Sequence, residues 1–460
     1  MLGRTIKRIF GAWVYLWTAP DIRRKLLITI ALLTLYRLVA HVRVPGVDLQ
    51  VLDTLMGQSG AGSNLVNLIN MISGGTVRNF SILAMGVYPY ITAQIIIQLL
   101  VPIVPSWQQR MEEDPREGRR WMEKNTYYLS VLMAALQAYG QIKIFSSLTP
   151  GQVPIIPNFG FQGDNILPTI TILSSMTAGT MFAIWMGELI SEYGIRNQGL
   201  SLIIFAGIIS QLPGTFAQVW AIPEARLIGT ISLVVIMLAM IFVIVFVQQG
   251  RRNVPVMYPG RRVGNRMAMP VKGNLPLMVN MSGMIPLIFA NALLTFPAII
   301  AGFFTGSETE WVRNFSTSVQ NIFGGGGTWY WVIYFFFVIL FTFFYTDVLF
   351  QQQNYGENLK RAGAKIGNVR PGKPTQEYLS RVQRRITFPG ALFLGVVAVL
   401  PFLATQIIPQ LNLGNYGGNS SSFLINASGM LIVVGVVRDT FLNIDAELKL
   451  HGYDDTLLVR

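Results

Sequence analysis

Side chains suited to covalent chemistry are scarce in this sequence. It has no cysteine and only two histidines, His41 and His451. That excludes disulfides, thiolate metal centres, cysteine nucleophiles and a histidine-rich metal site. Hydrolysis needs histidines and carboxylates gathered about one reacting atom, and no such constellation is visible. Two other groups of residues stand out. The first is neutral and lies inside long apolar runs: Thr92, Gln94, Gln98, Gln137, Asn291 and Thr295. Such residues either hydrogen-bond one membrane helix to another, at roughly 1 kcal/mol each, or cluster at a seam that has to open. The second is cationic: Arg251, Arg252, Arg261, Arg262 and Arg370 lie in two long polar stretches with few acids. Arginine forks fit phosphates and carboxylates; the same charges also fix orientation in a membrane.

The elements that must position these residues are membrane helices. Apolar residues make up 52% of the chain and charged ones 12%, about half the charged fraction of a soluble domain. The apolar residues form runs, as in Leu227–Val247, rather than the alternation of barrel strands. Runs fall at Leu26–Ala40, Ser81–Val104, Tyr127–Ile144, Ile170–Ile190, Leu200–Leu212, Leu227–Val247, Leu277–Phe304, Trp329–Leu349, Ile386–Ile408 and Leu424–Val437. The first, fifth and tenth are short for a span. Charge resolves them. With ten spans and both termini cytoplasmic, all but six of the 35 lysines and arginines fall on the cytoplasmic side, as positive-inside asymmetry requires.

The N-terminal arm mixes Arg4, Lys7 and Arg8 with Phe10, Trp13 and Trp17, and Pro20 follows. It reads as an amphipathic surface helix broken from the first span. Asn64–Ile72 is too short to cross and reads as a short helix against the external side. The external loops, such as Gly324–Gly327 and Asn412–Ser422, read as flexible connectors. Within the spans, ionisable residues are nearly absent from the middle. Arg37 stands toward an outer end, where it could snorkel, and Asp347 and Glu188 stand near cytoplasmic ends. Proton- or ion-coupled transporters place charge at the midplane, so passive channel activity fits better than an enzyme. An inverted-repeat secondary transporter of a small solute is the alternative, and it would need a polar pocket at mid-membrane.

Four long segments carry a resemblance. Ser73–Leu100 (SGGTVRNFSILAMGVYPYITAQIIIQLL), Gly187–Pro213 (GELISEYGIRNQGLSLIIFAGIISQLP), Arg251–Pro297, with LPLMVNMSGMIPLIFANALLTFP closest, and Asn358–Gly390 (NLKRAGAKIGNVRPGKPTQEYLSRVQRRITFPG) resemble the bacterial SecY family in order and spacing. These are the central channel subunits of the Sec protein translocase. Two departures accompany the match. Arg196–Gly199 replaces a tighter join between the fourth and fifth helices, and Arg438 stands where the family is usually apolar.

The resemblance implies an all-α membrane protein of ten transmembrane helices, in two inverted five-helix halves around an hourglass pore. The N-terminal half would be 1–223, with the surface helix, spans one to five and a plug at about 64–75. The C-terminal half would be 224–460, with spans six to ten, cytoplasmic loops at about 249–276 and 350–385, and the tail. The family's pore ring maps onto Val87, Ile91, Ile204, Ile208, Ile288 and Ile432. Its plug maps onto Asn64, Leu65, Val66, Leu68, Ile69, Met71 and Ile72, with Gly74 and Gly75 bending the chain into the second helix. Its lateral gate lies between the second and third helices on one side and the seventh and eighth on the other. Thr92, Gln98, Gln137 and Asn291 are candidates at that seam.

Branched apolar residues at a waist exclude ions by dewetting, and about ten leucines favour lipid by about 5 kcal/mol, enough to draw a segment sideways. The implied partners are SecE-like and SecG-like small subunits, the SecA motor, the ribosome with its RNA, signal sequences and secretory or membrane polypeptides, and the bilayer. Arg251, Arg252, Arg261, Arg262 and Arg370 would dock the motor or ribosome. The resemblance implies no cofactor and places the chain in the cell membrane.

Overall fold

The computed structural model describes residues 20–48, 51, 76, 80–101, 103–148, 155–157, 159–160, 165–220, 226–259, 262–263, 266–267, 271–304, 309–323, 328–410 and 426–450. The N-terminal arm, the 64–72 stretch and the connectors 324–327 and 412–422 lie outside the described residues. In chain order the elements are α1 (Pro20–Val39), α2 (Tyr88–Leu100), α3 (Pro105–Glu113), α4 (Pro115–Leu148), α5 (Ile166–Tyr193), α6 (Gly199–Trp220) and α7 (Arg226–Gln249). Four strands follow, β1 (Arg251–Tyr258), β2 (Arg262–Val263), β3 (Arg266–Met267) and β4 (Val271–Met278). The remaining helices are α8 (Ile285–Phe304), α9 (Glu310–Phe323), α10 (Thr328–Gln352), α11 (Tyr355–Arg361), α12 (Lys373–Gln410) and α13 (Asn426–Leu450).

Among the described residues each of the ten apolar runs overlaps a helix: α1, α2, α4, α5, α6, α7, α8, α10, α12 or α13. By length and composition, Ile166–Tyr193, Ile285–Gly302, Thr328–Arg361 and Lys373–Leu400 suffice to cross a bilayer. Their outward faces are apolar, with Leu167, Trp329, Phe336, Leu340 and Phe388 exposed. In water that would be an aggregating surface; in lipid it is the solvated face.

The described chain packs as two units that interleave along the sequence. One comprises Met1–Gln218, Ala292–Tyr330 and Gly435–Arg460; the other comprises Val219–Asn291 and Trp331–Val434. Thus α8 begins in the second unit and ends in the first, and α13 does the same.

The first unit is built around Val44, Phe80, Ala84, Ala138, Ile142, Phe145, Ile172 and Met176. Phe80 meets Phe145 edge-on, with ring centroids 5.7 Å apart. The chain after α1 pairs with the chain before α2, where the Val44 amide donates to the Phe80 carbonyl at 3.0 Å. On α5, Gly179 lies against the Ile82 carbonyl so closely that a Cβ would overlap it. Lys25 of α1 forms an ion pair with Glu447 near the end of α13.

The second unit holds the main surprise. The cationic stretch after α7 is a β-hairpin, not an open loop. β1 and β4 pair antiparallel from Arg251↔Met278 to Tyr258↔Val271, and β2 pairs with β3 at the tip. Along β1, Val254 and Val256 are buried while their neighbours are exposed, the period-two pattern of a half-buried strand. The stretch between α10 and α12 packs on the same hairpin. Met257 and Lys365 exchange amide-to-carbonyl bonds of 2.8 Å in both directions. Val254, Val256 and Leu277 share one core with Phe350, Leu359, Ile366 and Leu379.

The seventh apolar run is also shorter as a helix than Leu277–Phe304. Leu277 and Met278 close β4, and α8 starts only at Ile285. Between them Asn280 Nδ2 donates to the Gly283 carbonyl at 3.0 Å, and Ser282 Oγ donates to Asn280 Oδ1 at 3.1 Å. Gly283 has φ +63°. Local side-chain bonds of this kind compete with helix, and Pro286 suits a first helical turn.

Candidate functional site

α2 begins where the backbone turns. Gly86 takes φ +52°, Val87 is the N-cap, and Pro89 sits in the first turn, where a missing amide costs nothing. The Ile91 amide donates to the Val87 carbonyl at 3.2 Å. Val87 and Ile91 therefore lie one turn apart, and both are buried. On α6, Ile204 and Ile208 are likewise buried. None of these four branched side chains belongs to an exposed face. In the second unit Ile432 is buried and Ile288 is half-buried.

The neutral polar residues divide. Thr92 Oγ1 accepts a hydrogen bond from Gln137 Nε2 at 3.0 Å and donates to the Pro89 carbonyl at 2.9 Å. This buried pair ties α2 to α4, two helices of the same side of the expected seam. Gln98 is half-buried on α2, and Asn291 is buried on the second-unit part of α8. A bond from α2 to α8 is made by a residue that sequence reasoning missed. The Tyr88 hydroxyl, buried, donates to Thr295 Oγ1 at 3.1 Å or to the Ala292 carbonyl at 3.3 Å. The available signal was a tyrosine inside an apolar run, since a buried phenol needs a partner.

Arg37 does not snorkel. Its guanidinium donates to the Ala206 carbonyl at 3.2 Å and the Gly207 carbonyl at 3.1 Å. Both acceptors lie on α6 between Ile204 and Ile208. Backbone carbonyls supply the counter-dipoles that an arginine at membrane depth requires.

The two departures from the family pattern are accommodated in the first unit. Asn197 takes φ +57°, a conformation asparagine tolerates, and Asn443 Nδ2 donates to the Arg196 carbonyl at 3.3 Å. Arg438 is half-buried and pairs with Asp439 at 2.9 Å.

On the hairpin module, Arg251 and Arg252 are exposed at the start of β1. Arg370 is exposed just before α12, its carbonyl accepting from Thr375 Oγ1 at 2.8 Å. Arg262 lies in β2; Arg261 is outside the described residues, as are all the plug residues. Arg384 Nη2 and Nε meet the two oxygens of Asp347 at 2.8 and 3.3 Å.

An apolar, helical chain with buried neutral hydrogen bonds between its helices and a cationic folded module defines a multi-pass membrane protein. Two solved structures share its fold. One, described as the structure of a protein conducting channel, superposes with a TM-score of 0.60 at 19% identity, covering 94% of each chain. The other concerns a SecY protein whose plug domain stabilises the closed state of the translocation channel and maintains a membrane seal; it superposes with a TM-score of 0.59 at 18% identity, again over 94% of each chain. The SecY family profile matches residues 81–441. Protein translocase subunits SecY are similar over almost the whole length. That of Streptomyces griseus is 35% identical across 98% of this chain and 100% of its own. That of Halalkalibacterium halodurans is 36% identical across 98% of each, and that of Chlamydia muridarum 35% identical across 98% of each. The chain belongs to the SecY family. It is a translocase channel subunit rather than an enzyme, and the small-solute transporter reading finds no support.

Proposed function

We propose that this chain is the central subunit of a protein-conducting channel in the cell membrane, with both termini cytoplasmic. It passes unfolded secretory polypeptides outward and releases transmembrane segments sideways into lipid. The observation that carries the reading is the family match, continuous from the chain before α2 into α13. Val87, Ile91, Ile204 and Ile208, branched and buried in the first unit, suit an apolar, uncharged constriction, to which the family resemblance adds Ile288 and Ile432. Asn64–Ile72 is the plug. α2 and α4 form one side of a lateral gate, with Thr92, Gln98 and Gln137, and α8 with Asn291 the other. The two halves are 1–223 and 224–460.

The hairpin module supports external power. Its exposed arginines, Arg251, Arg252 and Arg370, together with Arg262 of β2 and with Arg261, suit ribosomal RNA phosphates or acidic groups of a SecA motor. Arg251 and Arg252 stand on the strand whose Val254 and Val256 enter the module's buried core. Small SecE-like and SecG-like subunits complete the assembly.

Depletion of the chain in its native cell, with secreted precursors followed over time, tests the reading. Precursors accumulate if it is correct; unaltered export overturns it.

A further inference from the structure

We infer that α9 is an interfacial anchor, lying flat in the outer leaflet of the bilayer and tying the outer ends of α8 and α10 to it. The inference takes its side of the membrane from the topology proposed above and otherwise stands on the helix itself. α9 is 14 residues long, about 21 Å at the α-helical rise and too short to cross a bilayer. It hangs between two segments that suffice to cross by length and composition, Ile285–Gly302 and Thr328–Arg361. Five residues, 305–309, lead in from Phe304, and four, 324–327, lead out to Thr328. Tethers of that length hold α9 within about 20 Å of both outer ends.

Around the helix, Trp311, Ile322, Phe315, Val319, Val312 and Phe323 fall in that order within about 120° of the circumference. Arg313, Thr317 and Glu310 occupy the opposite arc. The protein covers only part of the apolar stripe. Val312, Val319 and Phe323 are half-buried and Ser316 beside them is buried, whereas Trp311 and Phe315 are 74% and 60% exposed and Ile322 is exposed as well. The Trp311 and Phe315 rings stack, with centroids 5.9 Å apart and planes at 15°, and so make one continuous apolar surface.

Its neighbours say what covers that surface. Phe304, the last residue of α8, and Trp329, the second of α10, are exposed too. Four exposed aromatic residues of the first unit thus belong to the outer ends of two spans or to the helix between them, and tryptophan favours the headgroup boundary. Exposed apolar residues and polar residues flank the covered edge of α9 on opposite sides. That order suits a helix on the protein's shoulder at the bilayer surface, with protein beside it, lipid below and water above. In that pose the apolar side chains sink about 5–10 Å into the boundary of headgroups and acyl chains.

Because the chain has no cysteine, Trp311→Cys and Thr317→Cys each give the full chain one attachment point for an environment-sensitive fluorophore. The labelled proteins, with the subunits they purify with, are reconstituted into phosphatidylcholine vesicles carrying a nitroxide near the glycerol end or near the methyl end of the acyl chain. The probe on Trp311→Cys is expected to lose most of its emission to the shallow nitroxide, less to the deep one and little to aqueous iodide. The probe on Thr317→Cys should show the reverse, losing its emission to iodide and keeping it beside either nitroxide. Should Trp311→Cys fail to accumulate, Phe315→Cys reports the same face. A Trp311→Cys probe quenched by iodide as strongly as the Thr317→Cys probe places the face in water. One sheltered from both quenchers places it under another subunit, and disulfide-linked pairs of Trp311→Cys chains place it against a second copy. Each of these three results overturns the inference. In cells whose plasma membrane is exposed, a membrane-impermeant maleimide should reach Thr317→Cys from outside. Reaction only after the cells are opened overturns the proposed topology, whereas external labelling with the wrong quenching pattern overturns the anchor alone.

Discussion

Arg37 and Gly207 are joined by a hydrogen bond of 3.1 Å from the guanidinium to the backbone carbonyl, with the Ala206 carbonyl at 3.2 Å beside it. The bonded turn of α6 lies between Ile204 and Ile208, so a cation on α1 holds the backbone that carries two residues of the proposed constriction. Arg37→Met removes two charge-assisted bonds, each worth about 1.5–3 kcal/mol. We expect a lower melting temperature in detergent and a several-fold rise in ion leak through reconstituted vesicles. Arg37→Lys should recover only part of either, because one ammonium cannot reproduce the fork.

The constriction predicts its own variants. If they line the proposed waist, Ile91→Gly widens it and Ile208→Ser wets it, and either variant is expected to conduct ions. Planar-bilayer conductance of the purified channel should rise in each, and in the double variant further. Conductance equal to wild type would remove these residues from the ring.

Docking charges should separate from folding. Arg252→Ala and Arg370→Ala alter exposed side chains of a module whose core lies elsewhere. Melting temperature is expected to stay within about 1 °C, the scale of a surface change. Ribosome and SecA co-sedimentation should weaken by about tenfold, with a shallower salt dependence. Affinities unaltered at low salt would reduce these arginines to orientation signals.

Close backbone contact makes Gly179 intolerant. Its missing Cβ faces the Ile82 carbonyl, part of the backbone rather than a movable side-chain tip. Gly179→Ala forces α5 away from the turn before α2 and should destabilise by about 1–3 kcal/mol. Thermal unfolding followed by circular dichroism measures it, and a gain in stability would contradict the packing described.

The Asp347–Arg384 pair is bidentate but largely exposed, with side-chain exposures of 33% and 63%. A double-mutant cycle with Asp347→Asn and Arg384→Gln should give a coupling of about 0.2–1 kcal/mol. Raising salt from 0.05 to about 0.5 M should shrink it through screening. A coupling insensitive to salt would place the pair out of water.

The sequence by itself determined the membrane class, the apolar helical runs and the family. Apolar run length and the side on which lysine and arginine accumulate are properties of the chain read in order, and bilayer thickness and charge asymmetry act on them directly. It also pointed to Thr92 and Gln137, because a polar group inside an apolar run needs a partner. Only the tertiary structure decided which partner. Tyr88 and Thr295 are far apart in sequence yet share a hydrogen bond, and Arg37 turned inward to α6 although its position near a helix end suited water equally well. The hairpin escaped because Val254 and Val256 alternate over too short a span to separate strand from loop, and their burial depends on Leu359, Ile366 and Leu379 arriving from more than a hundred residues later. Contacts between distant segments carry no local period, so packing alone assigns them.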